Sequence, residues 1–73
     1  MKKIYRMKEL DCANCAAKME RAIRKIKGVE DASISFMTQR LTLECEEAML
    51  PQILEQARLA VAKVDPHCQI LGG

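Results

Sequence analysis

The chain has 73 residues, of which 49% are hydrophobic and 30% charged, and its formal net charge is +2 at pH 7. This length holds a single domain, and so small a charge does not call for a polyanionic partner. One Tyr and one Phe are too few rings for a nucleic-acid stacking surface, and no segment approaches the roughly 20 apolar residues of a membrane span.

The first half of the chain predicts a strand followed by a helix. Tyr5 and Met7 alternate with outward residues over positions 3–9, and we expect Leu10 to return to the inner face after a small irregularity. From Cys15 the apolar period becomes that of an amphipathic helix of about 13 residues, which Gly28 ends. The apolar stripe of this helix is Met19, Ala22, Ile23 and Ile26.

The second half predicts a hairpin, a second helix and a short last strand. Two alternating runs flank the polar turn at 38–40, which is typical of an antiparallel hairpin. Their inner positions are Ala32, Ile34, Phe36, Leu41, Leu43 and Cys45. A helix follows over about 49–64, with Pro51 in its first turn, and the last strand covers 67–71. The inner stripe of this helix is Leu50, Leu54, Ala57, Val61 and Val64, with Ile53 and Ala60 beside it.

The element order βαββαβ predicts an α+β fold of the ferredoxin-like type. Right-handed crossovers place both helices on one face of a four-stranded antiparallel sheet with strand order 4-1-3-2. We expect residues 1–73 to form one domain, which is either an excised part of a larger transporter or a small free-standing carrier, and the Gly72-Gly73 end suits a truncation into a linker.

The loop between the first strand and the first helix carries the chemistry. Cys12 and Cys15 are spaced so that both thiolates can approach one soft metal ion, and a helix N-terminus favours the thiolate form. Asp11 offers a third, harder ligand, although it is also a residue type that caps helices. Cys15 alone would read as a small buried hydrophobe on the helix stripe, and Asn14 as a turn former.

Charge indicates which metal this loop prefers. Two thiolates neutralise a divalent ion, and Asp11 would bring that complex to −1 but a Cu(I) complex to −2. A carboxylate oxygen also suits Zn(II) and its heavier relatives better than Cu(I). We therefore expect Zn(II), Cd(II) or Pb(II), with Cu(I) as the alternative.

Other candidate residues have simpler interpretations. Cys45 and Cys68 share strand faces with aliphatic residues and are expected in the core, and His67 is either a surface residue or within reach of the metal loop. Four methionines are expected to fill gaps in an aromatic-poor core, namely Met7, Met19, Met37 and Met49. The clustered Lys and Arg residues predict a solvated helix face, or a surface that steers the domain toward an acidic partner.

The segments Leu10-Asp11-Cys12-Ala13-Asn14-Cys15-Ala16-Ala17-Lys18-Met19-Glu20 and Gly28-Val29-Glu30-Asp31-Ala32 resemble the heavy-metal-associated domain family. Within it, the chain is similar to the N-terminal cytosolic domain of zinc/cadmium/lead-exporting P-type ATPases. Cys12 and Cys15 match the family's two ligands, and Asp11 matches the acid of its divalent-metal branch. Leu10 replaces the methionine of copper-binding members, and Val64-Asp65-Pro66 stands where copper chaperones place a lysine.

The resemblance implies a non-enzymatic, monomeric metal-binding domain at the cytoplasmic side of a plasma membrane. It would deliver the ion to the transmembrane and other cytosolic domains of the same P-type ATPase, or regulate their turnover. Two alternatives remain open: a copper(I) chaperone or copper-ATPase domain, and a thiol–disulfide oxidoreductase, because Cys-x-x-Cys at a helix start is also a redox motif.

Overall fold

A computed structural model describes residues 1–71 and shows the predicted order of strands and helices. The elements are β1 Lys2–Lys8, α1 Ala13–Arg24, β2 Val29–Ser35, β3 Arg40–Cys45, a 3₁₀ turn Glu47–Met49, α2 Leu50–Val64 and β4 Gln69–Leu71. The βαββαβ prediction is confirmed.

The four strands form one antiparallel sheet with the order β2-β3-β1-β4, which is the predicted order seen from its other edge. Leu41 in β3 lies opposite both Tyr5 of β1 and Ile34 of β2, and Met7 lies opposite Ile70 of β4. The inward residues of neighbouring strands therefore share one face, and both helices cover that face.

The core lies between this face and the two helices. On the sheet side Leu41 and Leu43 are fully buried, and on the helix side Met19, Ile23 and Ala57 are too. Removing aliphatic surface from water contributes roughly 25 cal/mol per Å², and this burial is the main stabilising term available to so small a domain.

Two residues with positive φ shape the ends of the strands. Glu9, with a φ of 59°, turns the chain after β1, and Leu10 is thereby returned to the core with 1% of its surface exposed. This confirms the predicted irregularity. Gln39, with a φ of 54°, closes the turn between β2 and β3.

Gly28 connects α1 to β2 in a conformation that side chains rarely adopt, with a φ of +97°. A Cβ at this position would contact the Met49 side chain and would lie 3.2 Å from Ile53 Cδ1. Gly28 ends the helical region as predicted, but the regular helix stops earlier, at Arg24, and residues 25–28 form turns.

Four details differ from the sequence-based expectation. Helix α1 begins at Ala13 and not at Cys15, and β4 begins at Gln69 and not at position 67. Phe36 and Met37 are 37% and 89% exposed, because β2 ends at Ser35 and both residues lie in the turn. The strand alternation that placed Phe36 inside stops one residue before it, and Met37 fills no gap in the core.

Candidate metal centre

Cys12 is the N-cap residue of α1. Its backbone is extended, its carbonyl accepts a hydrogen bond from the Ala16 N–H at 3.0 Å, and its Sγ accepts one from the Cys15 N–H at 3.3 Å. The interpretation of Asp11 as the helix cap is therefore wrong, since the cap lies one residue later. Asn14 is part of the first helical turn and not a separate turn former.

The helix start gives the two thiols different acidities. The pKa of Cys12 is lowered, chiefly because the Cys15 thiol donates a hydrogen bond to its sulfur, and further by the backbone N–H groups of Cys15 and Asn14 and the charge of Lys18. The pKa of Cys15 is raised by the same hydrogen bond, by partial burial and by the negative charge of Cys12. Of the two thiols, Cys12 is therefore the more acidic and the first to lose its proton as the pH rises.

Both sulfur-bearing residues lie at the surface of the domain. Cys12 and Cys15 are half-buried, and Cys15 packs against the edge of the core. Because their thiols are within hydrogen-bonding reach and neither residue is sealed inside, one cation can contact both.

Asp11 is exposed next to this pair. Within residues 1–71 no three His, Cys, Asp or Glu side chains are close enough together to hold a metal ion. The structure therefore brings the two cysteines together, whereas it does not group Asp11 with them as a third ligand. Its role as a ligand stays a prediction.

The loop after α2 lies at the same end of the sheet as the candidate metal loop, which is the segment 9–12 before α1. Lys8, at the end of β1, pairs with Gln69, at the start of β4, so the segments 9–12 and 65–68 leave the sheet side by side. The charge of Asp65 contributes to the raised pKa of Cys15. Sequence reasoning weighed only His67 in this loop and missed Asp65, although the same topology places both there.

The loop after α2 is held by its own hydrogen bonds. Asp65 Oδ1 accepts from the backbone N–H of His67 at 2.9 Å, and the Asp65 carbonyl accepts from the Cys68 N–H at 3.2 Å. His67 is exposed. Cys68 is 3% exposed and Cys45 1% exposed, so both are core residues as predicted.

The hairpin turn also supports the metal loop, which the sequence did not reveal. Gln39 Nε2 donates to the Leu10 carbonyl at 2.9 Å, and the Met7 N–H donates to the Gln39 carbonyl at 2.8 Å. Residue 39 therefore ties the β2–β3 turn to the segment that precedes Cys12. A polar residue at a turn carries no pattern from which this long-range contact could be predicted.

A ferredoxin-like sandwich with two adjacent thiols at the start of its first helix defines a class of small metal-binding domains. A family model described as "Heavy-metal-associated domain" matches residues 4–63, and the chain belongs to this family, whose domains bind metal ions and are not catalytic. No helix within residues 1–71 has the length and apolar character needed to cross a membrane.

The relatives with curated names are transport ATPases. The chain is 29% identical over 96% of its length to a "Cadmium, zinc and cobalt-transporting ATPase" of Bacillus subtilis. It is 41% identical over 90% of its length to a "Probable cadmium-transporting ATPase" of Listeria monocytogenes. It spans 10% and 9% of these two proteins, so it corresponds to a small part of each.

Among solved structures, the chain is similar to the N-terminal domain of the copper(I) ATPase PacS in its apo form. The TM-score is 0.71 and the sequence identity 27%, with 100% of this chain and 96% of that chain covered. The fold is therefore shared by proteins whose names refer to different metals.

Proposed function

We propose that this chain captures Zn(II), Cd(II) or Pb(II) and transfers the ion to, or thereby regulates, a metal-transporting P-type ATPase of which it is one cytoplasmic domain. The observation that carries this proposal is the Cys12–Cys15 pair, which lies half-buried at the start of α1 with its two thiols in hydrogen-bonding contact. A cation that displaces the thiol protons gains two thiolate ligands at once.

Asp11 is proposed as the third ligand. No hydrogen bond or ion pair within residues 1–71 holds its side chain, so the carboxylate can rotate toward the sulfurs. Its oxygen suits a divalent ion better than Cu(I), and the similarity to cadmium- and zinc-transporting ATPases supports the same choice.

The negative charge of Asp65 is a second reason to propose a divalent ion. This charge acts on Cys15 from the neighbouring loop, so the site is anionic before any metal arrives. An anionic surrounding favours a cation of charge +2 over one of charge +1, because each additional positive charge gains the same attraction again.

Transfer follows from the exposed position of the site. An ion held by two sulfurs and one oxygen keeps an open coordination position, into which a ligand of a partner can enter. The partners proposed are the transmembrane and other cytosolic domains of the same ATPase. Residues 1–73 would then be a single domain of that longer protein, as their small share of the two relatives suggests.

The second candidate is a copper(I) domain, which the similarity to the PacS domain favours. Two thiolates bind Cu(I) tightly in any protein, so affinity for copper by itself does not distinguish the candidates. The distinguishing property is whether Asp11 selectively strengthens binding of the divalent ions.

The test is a titration of the reduced chain with Zn(II), Cd(II) and Cu(I), each in competition with a chelator of known affinity. We expect one ion per chain, and no such binding in the Cys12→Ser, Cys15→Ser double variant. We expect Asp11→Asn to weaken Zn(II) and Cd(II) binding by about tenfold, which corresponds to about 1.4 kcal/mol, and to leave Cu(I) binding unchanged.

Two matched variants complete the experiment. Glu55→Gln removes an equal charge from an exposed position on α2, and Cys45→Val removes a thiol from the core; both should bind like the unaltered chain. Loss of Cu(I) and Zn(II) affinity in equal measure on Asp11→Asn would favour the copper candidate. Reduction of insulin by the metal-free chain would instead favour the thiol–disulfide oxidoreductase.

A further inference from the structure

The face of the sheet that the helices leave open carries a row of cations at one end. Arg6 in β1 lies directly opposite Arg40 in β3, and on its other side it lies opposite Leu71 in β4. Lys8 is the next outward residue along β1, opposite Gln69. Arg6, Lys8 and Arg40, together called the cationic row, are exposed.

The cationic row is not neutralised by the domain itself. The side chains of Arg6, Lys8 and Arg40 have no ion pair or hydrogen bond within residues 1–71. Two like charges directly opposite each other on neighbouring strands repel, so the Arg6–Arg40 pair costs stability. Such a pair is relieved when an anion binds between or above the two side chains.

The turn next to the cationic row exposes two large apolar side chains. Phe36 and Met37 are 37% and 89% exposed, and only Thr38 and Gln39 separate them from Arg40 in the chain. The Gln39 side chain bonds the Leu10 carbonyl, so this turn is also fixed beside the metal loop. The exposed side chains of Phe36 and Met37 and the cationic row thus lie at the same end of the sheet, where the metal loop begins.

We propose that the cationic row and the turn at 36–37 form a docking surface for an anionic phospholipid bilayer. Phe36 and Met37 enter the boundary between headgroups and acyl chains, while Arg6, Lys8 and Arg40 contact phosphate groups. Combining an apolar insertion with several cations is what reversible membrane binding requires, because either contribution alone is weak.

The pattern of the surface favours a bilayer over other anions. The strand positions around the arginines carry Ser35, Thr42, Ile4 and Leu71, and the one ring of this surface, Phe36 in the turn, does not form a platform for successive stacked nucleic-acid bases. The cations are spread over neighbouring strands, about 5 Å apart, which matches a continuous layer of headgroups better than one small anion. The choice of a bilayer also rests on the proposed function, since a domain of a transport ATPase works beside a membrane.

Docking in this way would hold the metal loop close to the membrane surface. Gln39 joins the docking surface to the metal loop. Its backbone carbonyl accepts a hydrogen bond from Met7, and its side chain donates one to Leu10. The membrane would therefore orient the domain with Cys12 and Cys15 near the place where an ion must enter a transporter.

The test measures binding of the reduced, metal-free chain to sedimented vesicles. We expect binding to vesicles of phosphatidylcholine and phosphatidylglycerol at 3:1, little to pure phosphatidylcholine, and loss of binding in 0.5 M NaCl. Each cation near an anionic surface is worth roughly fivefold in partitioning, so the Arg6→Gln, Arg40→Gln variant should bind at least about tenfold less. Met37→Gln should reduce binding by about threefold, because it removes apolar surface.

The control variant is Arg21→Gln, Lys25→Gln, which removes two exposed charges on the opposite side of the domain, one in α1 and one directly after it. It should bind vesicles nearly as the unaltered chain does. An equal loss in this variant would show unspecific attraction and overturn the proposal. The Arg6→Gln, Arg40→Gln chain should melt no lower than the unaltered one, since the substitution removes a repulsion.

Three further measurements separate the proposal from its alternatives. The Cys12→Ser, Cys15→Ser chain should still bind vesicles, so a failure of the metal site and a failure of the docking surface are distinguishable. Displacement from vesicles by 10 mM phosphate at constant ionic strength would show a site for free phosphate. Binding to a polyglutamate peptide or to single-stranded DNA through Arg6 and Arg40, but not to vesicles, would likewise overturn the proposal.

Discussion

At the scale of single residues, the decisive feature is that Cys12 caps the helix with its sulfur. The cap brings the Cys15 N–H to the Cys12 sulfur at 3.3 Å and places the two thiols in contact. One side chain thus serves the helix and the proposed metal site together. The same contact makes the two cysteines unequal, and this inequality can be measured.

We predict that Cys12 reacts first with a limiting amount of iodoacetamide at pH 7 in the metal-free, reduced chain. The thiolate is the reactive form, and the lowered pKa of Cys12 and raised pKa of Cys15 place it on Cys12. Cys15→Ala removes the largest cause of that lowered pKa. The alkylation rate of Cys12 at pH 7 should then fall, because a higher pKa leaves a smaller fraction of Cys12 as thiolate.

Peptide mapping by mass spectrometry over a series of pH values gives this rate for each cysteine. Cys45→Ala serves as the control, since it removes a thiol that lies in the core, away from the metal loop. Faster labelling of Cys15 than of Cys12 would contradict the predicted order of their acidities.

At the scale of elements, the connections decide where the predicted pieces end. Helix α1 needs residues 25–28 to reverse the chain, and Gly28 makes this reversal with a positive φ. On the other side of the domain, β2 ends at Ser35, so the apolar turn at 36–37 is left in solvent. Alternating polarity alone does not predict where helix α1 or strand β2 ends.

We predict that Gly28→Ala lowers the free energy of unfolding by about 1–2 kcal/mol. The positive φ costs an alanine roughly this much, whereas the contact of its Cβ with Met49 is relieved by moving the flexible end of that side chain. Urea denaturation measures the change. Gly28→Asn should cost less than Gly28→Ala, because Asn tolerates positive φ better although its Cβ meets the same neighbours.

A third variant separates the two contributions. In a Met49→Ala background the contact is absent, and Gly28→Ala should still cost most of its 1–2 kcal/mol. If the cost disappears there, crowding against Met49 and not the backbone conformation is the reason for glycine at this position.

At the scale of the whole molecule, the domain buries several groups in their neutral form. Burial raises the pKa of Cys45, of Cys68 and of Tyr5 above their ordinary values. Tyr5 comes from β1, Cys45 from β3 and Cys68 from the loop before β4, so their burial is a property of the assembled core. The unfolded chain exposes all of them to water.

We predict that the buried neutral groups contribute their full stabilisation below about pH 8. The free energy of unfolding should fall as the pH rises above this value. In the unfolded chain the cysteines lose their protons near pH 8.5 and the tyrosine near pH 10, whereas the folded chain holds these protons to higher pH. The unfolded state thus releases protons first, and the free energy of unfolding should decrease as the pH rises from 7 to 10.

The measurement is urea denaturation across this range in the Cys12→Ser, Cys15→Ser background. That background removes the lowered pKa of Cys12, which acts in the opposite direction because stability from a lowered pKa is gained as the pH rises. Cys45→Val should make the decrease shallower. An unchanged slope in Cys45→Val would show that Cys45 is not held neutral by burial.

The amino-acid sequence by itself determined the local elements and the two sulfur positions. The alternation around Tyr5 and Met7 and the helical period through Met19 and Ile23 follow from distances of a few residues along the chain, and the structure confirms them. The burial of Cys45 and the strand order also followed, because periodicity and right-handed crossovers leave few other arrangements.

Only the tertiary structure decided the contacts between segments that are far apart in the chain. The bond from Gln39 to Leu10, the charge of Asp65 beside Cys15 and the Arg6–Arg40 pair depend on strand register and on the path of each turn. A shift of one residue in register would move each of these side chains elsewhere. Periodicity records which face a residue occupies, and the register of the folded sheet determines its neighbour on that face.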